Sequence, residues 1–67
     1  MGEYEKARDE FAKGLRAHPD QYRLHTGLGW TYLKLGDRAK ARESFQRALR
    51  LKPDYADART GLAQAGR

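Results

Sequence analysis

Cysteine is absent from the 67 residues, so neither a disulfide framework nor a thiolate metal site can be built from this chain. Histidine is scarce too. His18 and His25 are the only two, they lie on either side of Pro19, and a metal site needs three or four ligands, so no bound metal is predicted. No apolar run approaches the ~20 residues that span a bilayer, and the N-terminus lacks the basic-then-apolar layout of a signal peptide. A soluble chain is the expectation. A glycine-rich phosphate loop, a nucleophile elbow and paired catalytic carboxylates are also missing, which argues against an enzyme and against a cofactor.

What the chain does have is a period. Set residues 1 to 33 over residues 35 to 67 and 12 of the 33 pairs are identical, among them Gly2/Gly36, Ala7/Ala41, Phe11/Phe45, Leu15/Leu49, Pro19/Pro53 and Gly27/Gly61. Unrelated positions in a chain of ordinary composition would agree roughly twice. A repeat of this length is one supersecondary unit that cannot bury its apolar face alone, so copies must stack. Function then belongs to a surface shared between copies. Mean hydropathy is −1.01 and 34% of residues are charged, yet the apolar residues recur at regular spacing, which separates the chain from a disordered polyampholyte. At this length one domain is the most that can form.

Punctuation cuts the chain into four helices, with no strand pattern. From Glu3 to about Ala17, Tyr4, Ala7, Phe11 and Leu15 step by three and four along one face. Pro19 ends that helix and Asp20 is expected to cap the next, over 21–35, whose inward face is read as Leu24, Leu28, Tyr32 and Leu35. Gly36 reads as a left-handed stop and Asp37 as the cap of a third helix, which runs to about Leu51 through Ala41, Phe45, Ala48 and Leu49. After Pro53-Asp54 a fourth helix, from about Tyr55 to Ala65, presents Ala58, Leu62 and Ala65. Turns this short make consecutive helices antiparallel neighbours. Gly27, Gly29 and Gly61 inside helices cost about 0.5–1 kcal/mol each relative to alanine, which suggests close packing there.

The middle unit reads His25-x2-Leu28-Gly29-x2-Tyr32, then Ala41-x3-Phe45, Ala48 and Pro53, and so resembles the tetratricopeptide (TPR) pattern W-x2-L-G-x2-Y…A-x3-F…P. His25 stands where the family usually has tryptophan. The resemblance covers nearly the whole chain and divides it into the second helix of a first repeat (1–20), a complete repeat (21–54) and the first helix of a further one (55–67). It implies an all-α, right-handed solenoid of antiparallel helix hairpins. It also implies a concave groove, lined by the first helix of each unit, that binds peptide segments of partner proteins. Carried over residue by residue, the groove positions are Arg23, Thr26, Trp30, Leu33 and Lys34 on the second helix and Asp57, Thr60 and Gln64 on the fourth. Helical spacing independently sets Arg23, Thr26, Trp30 and Leu33/Lys34 on the face away from Leu24, Leu28, Tyr32 and Leu35.

Trp30 has two open readings. It either anchors a partner or packs on neighbouring side chains or another copy. In the first case Trp30 with Arg23 and Lys34 makes an apolar and basic patch suited to an acidic or carboxylate-ended peptide. Family members that grip chaperone tails use lysines, asparagines and an arginine in the groove; this chain has Thr26, Trp30, Thr60 and Gln64, with Asp57 and Gly61 where lysine and arginine are wanted, so that clamp is missing. Nucleic-acid binding is the alternative, given net charge +5 and Arg38, Lys40, Arg42, Arg47, Arg50 and Lys52 against the single acid Glu43. The basic stripe does not continue onto the equivalent first helix, which carries Glu3, Glu5, Asp9 and Glu10. Because both terminal helices lack the partner that would complete their hairpins, self-association through the ends is also expected, Tyr4, Ala7, Phe11 and Leu15 of one copy covering Ala58, Leu62 and Ala65 of another.

Overall fold

The computed structural model describes residues 2–66, which form α1 (Glu3–Ala17), α2 (Tyr22–Leu35), α3 (Arg38–Leu51) and α4 (Ala56–Ala65), with no strand among the described residues. Met1 and Arg67, which the first and last repeat divisions include, lie outside them. Each helix packs on the next, and α2 also meets α4, while no Cα pair between α1 and α3 lies within 8 Å. The stack is therefore tight on the side of α2 and α4 and splayed on the side of α1 and α3.

The turns repeat as the residues do. After α1, the His18 N–H donates to Gly14 O at 2.8 Å and Gln21 N–H to His18 O at 3.2 Å; after α3, Lys52 N–H donates to Ala48 O at 2.9 Å and Tyr55 N–H to Lys52 O at 3.1 Å. This closed turn changes one expectation. Asp20 lies inside the turn, one residue too early to cap, and the N-cap of α2 is Gln21, without a side-chain bond. Between α2 and α3 the chain reverses more sharply. Gly36 adopts φ 85°, a conformation costly to any side chain, and a paired bond set, Gly36 N–H to Leu33 O and Asp37 N–H to Tyr32 O, satisfies the last carbonyls of α2. The Asp37 carboxylate then accepts from Lys40 N–H at 3.1 Å and caps α3.

Phe45 is the centre of the core. It is 0% exposed and, among the described residues, the largest side chain to be so fully buried. Two glycines make room for it: a Cβ on Gly29 would lie 2.7 Å from the ring, and one on Gly61 would overlap it outright. Phe11 takes the matching place against Gly27, 34 residues earlier, where an added Cβ would come within 2.5 Å. Ala41, Ala48, Ala58 and Ala65 close the core with Trp30, Tyr32, Leu33 and Leu62 packed around it. His25, in the place of the usual tryptophan, is buried and hydrogen-bonded through Nε2 to Pro19 O at 2.9 Å, so the smaller ring is held by polar bonding as well as by packing.

Candidate functional site

On the tight side, α2 and α4 lie next to each other and their outward residues form one surface. Trp30 crosses it. Its ring meets Phe45 edge-on, with centroids 5.3 Å apart at 76°, and its Nε1–H donates to Asp57 Oδ1 at 3.2 Å, tying α2 to α4. The indole is thus half-buried against the core, with its remainder on the surface shared by α2 and α4, which corrects the expectation that it lies opposite the core. At the start of the same two helices Tyr22 and Tyr55 pack edge to face with centroids 4.8 Å apart.

The remaining groove positions separate by burial. Arg23, Lys34, Asp57, Thr60 and Gln64 are exposed, and Leu33 is half-buried against the core. Thr26 is a correction. It is 2% exposed and its hydroxyl donates to Tyr22 O at 2.9 Å, so no ligand reaches it. The physical reason is that α2 is flanked by α1, α3 and α4 together, and only a narrow strip of it remains free.

Beside that strip, Trp30, Leu33 and Lys34 of α2 with Arg38 of α3 and Gln64 of α4 surround a depression of about 260 Å³. Arg23, Asp57 and Thr60 lie outside it. Arg38 is a residue that the sequence reading assigned only to a basic run on α3. The tight Gly36-Asp37 turn brings this first residue of α3 back beside Lys34, and the turn signature itself was the available clue. Two cations and no acid line the depression, and the Asp57 carboxylate stands just outside it, bonded to the Trp30 indole at 3.2 Å. Among the described residues no cluster of three histidine, aspartate or glutamate side chains could hold a metal ion.

The basic residues of α3 and its end do not share one face. Arg38 lines the groove-side depression, Lys40 and Arg47 line the opposite side, and Lys52 pairs with Asp54 at 3.4 Å with its ammonium 5.8 Å from the Tyr22 ring centre. No helix among the described residues is long and apolar enough to cross a membrane.

A search of curated proteins finds no match to the chain. The family model of the tetratricopeptide repeat, in contrast, matches residues 1–65, and with four helices arranged as repeating hairpins around Phe11 and Phe45 the chain belongs to the tetratricopeptide repeat family, whose members generally mediate protein–protein interaction.

Proposed function

We propose that this domain is a non-catalytic scaffold that binds an acidic peptide segment of a protein partner along the shared face of α2 and α4. The observation that carries this reading is the depression between Trp30, Leu33, Lys34, Arg38 and Gln64, which joins an apolar wall to two cations with no acid among them. Trp30 and Leu33 supply area for an apolar side chain, and Lys34 and Arg38 supply charge for a neighbouring carboxylate. Arg23 stands apart from the depression near the start of α2, its guanidinium 5.7 Å from the Tyr22 ring centre. Asp57 is engaged by the indole and holds Trp30 in place, and Thr60 and Gln64 offer hydrogen bonds on α4. Nucleic acid is a poorer fit, because the cations are divided between two sides of the molecule, Arg38 with Lys34 on one and Lys40, Arg47 and Arg50 on the other.

Peptide display selected on the intact domain tests this. Acidic sequences should be enriched on the parent and lost on a Lys34→Glu/Arg38→Glu variant of unchanged melting temperature. Selected peptides that bind both proteins equally would remove the groove from consideration.

Self-association through the terminal helices is a second proposal, motivated by α1, which has no fully buried residue. The repeat register makes such a contact weak. Laying α1 of one copy on α4 of another, as α3 lies on α2, sets Phe11 against Ala63 where Phe45 meets Gly29, and brings Glu10 to the place of buried Ser44. The same register replaces Trp30 by Gln64 and Tyr32 by Gly66, so aromatic packing is lost as well.

A further inference from the structure

On the side away from the groove, where α1 and α3 splay apart, there is a cleft of about 330 Å³ that the family's binding groove does not include. Leu15, Pro19, Leu28 and Tyr32 give it apolar walls, and Lys40, Glu43 and Arg47 stand along α3. It continues past Pro19 and His25 to Arg50 and Leu51, a leucine that is 44% exposed. An apolar hollow with cations at its mouth is the form of an anchor pocket.

Two residues in the cleft bear on what enters it. His25 occupies the position where the repeat usually carries an indole, and its imidazole, drawn back to Pro19 O, leaves open space that a larger ring would fill. Ser44 is the second. It is 6% exposed and lines the cleft, yet among the described residues its hydroxyl has no hydrogen-bond partner, whereas Thr26 and Thr31 bond back to the carbonyls of Tyr22 and Gly27. Among the described residues no side-chain oxygen or nitrogen that is fully sealed from solvent lacks a partner, so the Ser44 hydroxyl keeps some contact with solvent, and the cleft is the open space that Ser44 lines. A nearly buried hydroxyl without a protein partner at the wall of a hollow is a polar group free to bond a ligand.

The charge around the hollow is lopsided. Lys40 lies with its ammonium 5.7 Å from the Tyr32 ring centre, Arg47 approaches Glu43 at 3.5 Å, and Arg50 adds a further cation beyond, so one carboxylate faces three cations. We propose that the α1–α3 cleft is a second docking site, which takes an aromatic side chain from an acidic peptide segment, with the ring in the space left by His25 and flanking carboxylates on Lys40, Arg47 and Arg50. The domain would then hold two acidic segments, one on each side. This site stands independently of the groove reading.

The experiment titrates the isotope-labelled full chain with the peptide acetyl-Asp-Glu-Trp-Glu-Asp-amide and follows amide shifts by NMR. Saturable shifts are expected at Leu15, His25, Ser44 and Arg47. Replacing the probe's tryptophan by alanine should weaken binding by about tenfold, the effect of losing one buried aromatic anchor. His25→Trp fills the space from within and should abolish the shifts. Because that change also removes the bond to Pro19, Arg47→Ala at the exposed rim is the second variant, and it should weaken binding by about three- to tenfold with an unchanged melting temperature. Shifts confined to Trp30, Leu33 and Gln64 would overturn the second site while supporting the groove. Absence of saturation by about 5 mM peptide, undiminished binding to a folded His25→Trp, or a uridine oligonucleotide giving the same shifts at lower concentration would also overturn it.

Discussion

Phe45 offers the most severe test of the packing. Removing a fully buried phenylalanine costs about 3–5 kcal/mol through lost burial and the cavity left behind, and a domain of this length holds about 3–5 kcal/mol in all. Phe45→Ala should therefore be largely unfolded at 25 °C by far-UV circular dichroism. An unfolded variant gives only a lower bound, so a double-mutant cycle is sharper. Gly61→Ala pushes a methyl group into the Phe45 ring, an overpacking that costs about 1–3 kcal/mol and is offset by about 0.5–1 kcal/mol of improved helix propensity. Leucine at position 45 has no ring edge in that place. In a Phe45→Leu background the clash should vanish and only the propensity gain remain, so the two changes should couple by about 1–3 kcal/mol in urea melts analysed with a common slope. If the two effects add to within about 0.5 kcal/mol, the ring does not fill the gap above Gly61 and the core has been misassigned.

Asp37→Ala removes a cap that bonds Lys40 N–H and should cost about 1 kcal/mol, whereas Asp20→Ala, inside a turn with no capping bond, should stay within about 0.5 kcal/mol; equal losses in thermal melts would contradict the turn geometry. Trp30→Phe should lower stability by about 1 kcal/mol, since a ring still meets Phe45 but the bond to Asp57 is gone, and Asp57→Ala should then add almost nothing in the same background. Sedimentation between micromolar and millimolar chain should give a mass near 7.7 kDa until the upper end, and an Ala63→Gly/Glu10→Ser variant should associate at lower concentration; no difference between the two proteins would reject the stacking register.

Much of the scaffold was readable because the period and the breakers agree. Gly36 with Asp37, and the residues around Pro19 and Pro53, are local signals whose backbone geometry depends little on distant contacts, and the helices end within one or two residues of where those signals put them. Asp20 shows the limit. Asp20 and Asp37 both follow a helix breaker, but whether an aspartate caps depends on how many residues the turn consumes. That count is set by the backbone bond from Gln21 to His18, which no composition signal announces.

The candidate site was less legible, for a reason rooted in how α2 is surrounded. A helix with one buried face betrays it by hydropathy, but α2 is covered by α1, α3 and α4, and its buried residues His25, Thr26, Leu28, Gly29 and Thr31 run most of the way round. The two threonines look like surface because their hydroxyls are polar, yet each is satisfied by a carbonyl four residues back and so can be buried without loss. Ser44 is the informative contrast. It sits at the same depth, lacks such a bond among the described residues, and does so at the edge of an open cleft beside His25. Burial of a bonded hydroxyl is ordinary helix packing, whereas burial of an unbonded one draws attention to the space it faces. Trp30 and His25 can be read in the same way. The indole on the groove side has both its ring and its N–H engaged, so it shapes a wall. The imidazole on the other side, smaller than the ring the repeat usually holds, leaves a hollow.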